Sequence, residues 1–218
     1  MSRIHLYLQR MIVWIIVLCA MLPAGLAQAA VPEVHLRQEA PALQQAATIV
    51  ALDPTDDART QAGSPNVNFG DGSLWVGQPN THFALVKFDL TTLPPDASVT
   101  AAGLRLDFLC IYTGTNNIEV GRVEGAWDEA TVTASTPLTY TWSGQFQTVT
   151  STGIDDSSVV TWNVTSLVQA WQAGTLPNDG LVLRGSGGEL KAAHSKETGE
   201  AGDRSPKLIV AYTLPGDD

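Results

Sequence analysis

The chain has 218 residues, a formal net charge of -10 and 16% charged residues, with 19 Gly and 12 Pro. That length and apolar content suffice for one ordinary domain with its own core, and they exclude both a disordered chain and a disulfide-stapled miniature. The acidic balance argues against nucleic acid and anionic membranes as partners, because both repel such a chain at long range.

The N-terminus carries its own signature. Arg3 and Arg10 form a positive start, residues 11–22 are an uncharged apolar run, Pro23 breaks it, and Ala27-Gln28-Ala29 supplies small residues at a cleavage site. This order predicts a secretory signal peptide over residues 1–29, with a mature chain starting at or near Ala30. The apolar run is shorter than the roughly 20 residues a membrane span needs, so no span is expected after cleavage and the protein is read as secreted. The leader holds two arginines and no acid, so its loss lowers the formal charge to about -12. Cys19 leaves with it. Cys110 is then without an intrachain partner and is read as a buried small hydrophobe, with a reactive or intermolecular thiol as the alternative.

Residues 30–47, with Pro32, Pro41 and a Gln/Ala-rich stretch, read as a flexible linker, and residues 215–218 as an acidic tail. From Thr48 onward short apolar runs alternate with Gly, Pro, Asn and Asp. Ala84, Val86, Phe88 and Leu90 face one way, with Lys87 and Asp89 opposite. Leu104, Leu106, Phe108 and Cys110 do the same, with Arg105 and Asp107 outward. Further runs lie at residues 49–52, 74–77, 117–123, 159–164, 181–184, 190–194 and 207–213. About ten short strands at this spacing predict an all-β sandwich or barrel. One helix interrupts them: Thr165 can cap it, Leu167, Val168 and Trp171 share a face, and Gly174 can end it.

The segments 66–77 (NVNFGDGSLWVG), 85–94 (LVKFDLTTLP), 98–106 (SVTAAGLRL), 127–133 (WDEATVT), 162–171 (WNVTSLVQAW), 178–184 (NDGLVLR), 194–197 (HSKE) and 206–212 (PKLIVAY) follow in that order. Together they resemble the DNRLRE domain family, an extracellular module grouped with carbohydrate-binding modules. The resemblance covers about residues 48–214. It implies a jelly-roll-type β-sandwich and, in some members, binding to acidic polysaccharide such as alginate.

A catalytic constellation is not legible. His35, His82 and His194 remain after leader cleavage, and none has metal-ligand spacing. Adjacent acids such as Asp128 and Glu129 point to opposite faces of a strand and do not converge on one bond. No cofactor is required. The acidic segments 53–57 and 68–71 are of the kind calcium prefers, so Asp53, Asp56, Asp57 and Asp71 are candidate ligands of a structural Ca²⁺, with solvated turns as the alternative.

Tyr140 and Trp142 share one strand face in a polar segment and form a candidate sugar-stacking platform, extended by Trp75. Trp162 and Trp171 fall in step with core positions, and Trp127 reads as a corner residue. Lys87, Arg105 and Arg184 are the outward cations available to an acidic glycan, or alternatively partners of neighbouring acids such as Asp89 and Asp107. The expected function is a secreted, non-catalytic carbohydrate-binding module whose partner is a polysaccharide or cell-surface glycan. The alternative is a structural or adhesive surface domain with a protein partner. The sequence leaves the oligomeric state unspecified.

Overall fold

The computed structural model describes residues 46–109, 112–151, 158–198 and 203–216. The predicted signal peptide, the linker up to residue 45, Cys110 and the last two residues of the acidic tail lie outside the described residues. The described chain is β1 (Thr48–Leu52), β2 (Pro54–Gln61), β3 (Leu74–Val76), β4 (His82–Phe88), β5 (Ser98–Leu109), β6 (Gly114–Glu124), β7 (Thr139–Ser151), β8 (Ser158–Asn163), α1 (Thr165–Gln172), β9 (Leu181–Gly185), β10 (Lys191–Ala193) and β11 (Lys207–Thr213).

The strands form two antiparallel sheets. Sheet I runs β1-β11-β5-β10-β3, with β8 on the other side of β5, and sheet II runs β2-β4-β9-β6-β7. Four pairings nest inside one another: β6 with β7, β5 with β8, β4 with β9 and β3 with β10. Successive strands from β3 to β10 change sheet at every step except the β6–β7 turn. This is one long hairpin rolled on itself, the jelly-roll connectivity. β10 and β11 lie one after the other along the same edge of β5, and residues 194–198 turn away after β10.

The alternating residues meet between the sheets. Ala84, Val86 and Phe88 of β4 join Leu104, Leu106 and Phe108 of β5, with Leu181 and Leu183 of β9, in one buried cluster. Trp162 sits in it fully buried and donates its indole N–H to the Ile118 carbonyl at 2.9 Å, which satisfies its one polar atom. α1 closes one end, burying Val168 and Trp171. Its polar side is also tied down, since Gln169 donates to the Val99 carbonyl and Gln172 to the Pro94 carbonyl.

Sheet II is covered on its outer face as well. Ala58, Leu85, Val123 and Val182 point away from the sandwich and are buried under Trp127 and Val132. Trp127 pins this segment by donating to the Asp179 carbonyl at 2.7 Å.

The structure departs from the sequence expectations at four places. Residues 54–61, read in part as a loop, form β2: Asp57 and Arg59 occupy inward positions and Ala58 and Thr60 outward ones, opposite β4. The strand expected at Tyr140 and Trp142 extends to the 13-residue edge strand β7, which the predicted apolar runs lack because its exposed faces need few apolar residues. Asp107, expected outward and exposed, is buried at the chain stretch that follows β10, where its backbone carbonyl accepts from His194 and Arg204 approaches its carboxylate at 3.6 Å. Thr165 is not the helix N-cap. Val164 is, and the Thr165 hydroxyl accepts instead from the Ala102 N–H, anchoring the helix to β5.

Leu106 is fully buried between the sheets. Leu106→Ala is expected to cost about 2–5 kcal/mol in chemical denaturation. A change below about 1 kcal/mol would contradict its place in the core.

Candidate functional site

Two groups of side chains stand out from the fold. The first lies on the outer face of sheet II. The β6–β7 ladder pairs Gly121 with Trp142 and Val123 with Tyr140, which directs both rings outward. Phe83 of β4 joins them, with ring centroids 5.5 Å from Tyr140 and 6.2 Å from Trp142, the latter pair stacked at 28°. All three rings are partly exposed, Phe146 further along β7 is 50% exposed, and burial raises the Tyr140 phenol above its ordinary pKa. Gly121 is required beneath Trp142, because a Cβ there would lie 2.9 Å from the indole.

A β-bulge in β7 sets the geometry. The register shifts between Gly121 and Val120, leaving Ser143 and Gly144 as extra residues, with Gly144 at φ 72°. Glu119, only 3% exposed, accepts the Gly144 N–H at 2.9 Å through one carboxylate oxygen. Its other oxygen accepts from Arg184 Nε at 2.9 Å and from a terminal Arg184 nitrogen at 2.6 Å. The Arg184 guanidinium in turn lies 4.0 Å over the Trp142 ring. One buried carboxylate therefore fixes the bulge, the arginine and the indole together. Trp142 also borders a groove of about 370 Å³ with Thr141, Gln145, Asn163 and Ser166.

The other sequence-derived candidates fall elsewhere. Trp75 belongs to a separate group: the Arg59 guanidinium lies 3.9 Å over it and 4.5 Å over Phe69, with His82 and Tyr112 each 6.1 Å away. Burial, then the charge of Arg59, lowers the His82 pKa. Lys87 sits outward on β4 opposite Asp56, whereas Arg105 is on β5 opposite Lys207 and Thr161. The two are thus on different sheets. Neither forms an ion pair among the described residues, and their sequence neighbours are engaged otherwise, Asp89 with Thr91 and Asp107 with Arg204. Arg184 pairs with Glu119, a partner that lies 65 positions away and is invisible to local pattern. Phe83 and Glu119 were missed. The signal for Phe83 was an apolar residue on the polar side of its strand.

The second group is an acidic cleft at the β2 edge. One carboxylate oxygen each from Asp57, Glu129 and Glu197 lies within 4.8 Å of the other two. Asp57 accepts the Lys196 N–H at 2.8 Å, and the Lys196 ammonium contacts both Glu129 and Glu197. Burial pushes the Asp57 carboxyl up to about 7, against the Lys196 N–H and with the help of the Glu197 and Glu129 charges. Burial opposes the charged Lys196, but the two glutamates outweigh it and raise its pKa.

Asn68 builds the opposite wall by donating to the Glu129 and Val132 carbonyls at 2.7 and 2.8 Å. Gly70 gives Glu129 its room, since a Cβ there would meet the Glu129 carbonyl at 2.6 Å. Of the four aspartates singled out from sequence, Asp57 is in the cluster and Asp71 lines the adjoining cleft of about 510 Å³. Asp53 pairs with Lys207, and Asp56 accepts from Thr55.

The sequence model for carbohydrate-binding module family 96 matches residues 48–212. The chain belongs to that family. A comparison with curated proteins finds no significant match. Carbohydrate-binding modules are generally non-catalytic and typically extracellular. Among the described residues no helix is long and apolar enough to cross a membrane. The outer face of sheet II carries the partly exposed rings of Phe83, Tyr140 and Trp142, and the groove beside Trp142 reaches Asn163 and Ser166 on β8 and α1.

Arg184→Ala leaves the Glu119 carboxylate buried with the Gly144 N–H as its remaining protein donor. We expect this to cost about 3 kcal/mol in thermal or urea melts. Arg122→Ala, whose partner Glu124 is exposed, is expected to cost less than about 1 kcal/mol. Equal effects would contradict the role given to Glu119.

Proposed function

We infer that this domain attaches a secreted protein to an extracellular or cell-wall polysaccharide, without catalysis, through the outer face of sheet II. The observation that carries the reading is the partly exposed ring group Phe83, Tyr140 and Trp142, pre-set by the Arg184–Glu119 pair. Sugar rings pack their C–H faces on aromatic faces, and their hydroxyls need polar partners. The groove beside Trp142 offers hydroxyl and amide groups from Thr141, Gln145, Asn163 and Ser166.

Charge selects the ligand class. Arg184 is already neutralised by Glu119, while Lys87 and Arg105 belong to different sheets and do not add to one site. The chain as a whole is acidic. A polyuronate would meet a net repulsive surface, so the ligand is a neutral polysaccharide bound by stacking. The motif order over residues 66–212 supports placing the chain with DNRLRE domains. The order of charge, apolar run and small residues over positions 3–29 supports export.

Affinity electrophoresis in gels containing neutral polysaccharides or alginate tests this. Retardation is expected with a neutral polysaccharide, with little change between about 0.05 and 0.5 M NaCl. Trp142→Ala, folded by circular dichroism, is expected to weaken binding at least about tenfold, the equivalent of 1.4 kcal/mol. Retardation by alginate alone, abolished by salt, would contradict the neutral ligand. An unaffected Trp142→Ala would contradict the site. The absence of any retardation would favour the adhesive, protein-binding alternative.

A further inference from the structure

The acidic cleft gathers three carboxyl groups around one ammonium, that of Lys196. Asp57 is fully buried, and its Oδ1 has no hydrogen-bond partner. Glu197 Oε2 is also buried without a partner. The two carboxylates come from β2 and from the segment after β10, and one oxygen of each converges with one oxygen of Glu129, which comes from the segment before β7. A buried acceptor without a donor is costly, and natural structures leave few of them.

We propose that Asp57, Glu129 and Glu197 bind one divalent cation of the calcium class. Three arguments support it. Three oxygens within 4.8 Å of one another can converge on a single ion with shifts of a few tenths of an ångström at most, given Ca²⁺–oxygen bonds of about 2.3–2.6 Å. The ligands are carboxylates, the hard donors that calcium takes. The charges also close in the ion-bound state: three carboxylates, all ionised against the cation, and the Lys196 ammonium leave an excess of two negative charges, which one divalent cation neutralises. Lys196 contacts Oε1 of Glu129 and Oε1 of Glu197, so the unpartnered Glu197 Oε2 and Asp57 Oδ1 stay available to the ion. The adjoining cleft, lined by Asn68, Asp71, Asp128 and Glu129, gives the ion access and leaves space for water ligands.

Such an ion would clamp three segments that are distant in sequence: β2, the cover over sheet II, and the segment after β10. Its role would be to hold the cover in place, and it does not depend on the sugar-binding reading.

The test uses the purified chain after chelator treatment. Calorimetric titration with CaCl₂ is expected to show one ion per chain. The melting midpoint is expected to rise with Ca²⁺ concentration, relative to NaCl at matched ionic strength. Asp57→Asn and Glu197→Gln preserve shape and are expected to fold by circular dichroism while losing both responses. Glu197 is half-buried, so its variant remains informative if Asp57→Asn does not fold. A wild-type chain with neither binding heat nor a midpoint shift would overturn the proposal. So would a Glu197→Gln variant that binds Ca²⁺ as tightly as wild type.

Discussion

Everything that distinguishes this sandwich depends on sheet II being covered over part of its outer face as well as on its inner one. Its inner face packs against sheet I, as in any jelly roll. Its outer face packs Leu85, Val123 and Val182 beneath Trp127 and Val132. Fully burying side chains of this size is worth about 1.5–3 kcal/mol each. That outer layer fixes a stretch of chain with little regular structure. The same stretch places Glu129 beside Asp57 at one end and leads into β7, with Tyr140 and Trp142, at the other. Both candidate sites therefore share one support.

The two sites treat buried carboxylates in opposite ways. Glu119 is nearly inaccessible, yet each of its oxygens has a donor, from Gly144 and from Arg184. The result is an arrangement that holds Trp142 in place and contributes no net charge to the outer face of sheet II. Asp57 is fully inaccessible and keeps one oxygen without a donor, with two glutamates close by and a single ammonium between them. A satisfied buried charge specifies geometry, whereas an unsatisfied one calls for a ligand.

The core was legible in the sequence because alternation states which side chains share a face. Leu104, Leu106 and Phe108 are buried in the order the period-2 pattern predicts. Trp162 followed from the same alternation, and Trp171 from the apolar face of the helix. β2 was obscured by its composition, since Pro54, Asp56 and Asp57 are poor strand formers whose placement comes from the neighbouring strand β4. The acidic cleft was legible only in part: Asp57 and Asp71 were among the candidate calcium ligands, whereas Glu129 and Glu197 were not. Its members come from positions 57, 129 and 197, and nothing in the segments around Glu129 and Glu197 points to Asp57. The segments 66–77, 127–133 and 194–197, which carried part of the family resemblance, converge on that cleft only once the hairpin is rolled up. Tyr140 and Trp142 were legible as a pair on one face. Their fixing by Arg184 and Glu119 was not, because it depends on contacts between strands that are distant in sequence.

The central claim is that sugar meets this domain on the outer face of sheet II, at Trp142. The indole N–H resonances of Trp75, Trp127, Trp142, Trp162 and Trp171 report on five separate environments in one heteronuclear NMR spectrum. Addition of a soluble oligosaccharide from a polysaccharide that retards the protein is predicted to shift the Trp142 resonance most and to leave those of the buried Trp162 and Trp171 in place. A shift at Trp75 with Trp142 unchanged would contradict the account and move the binding site to the Arg59 group.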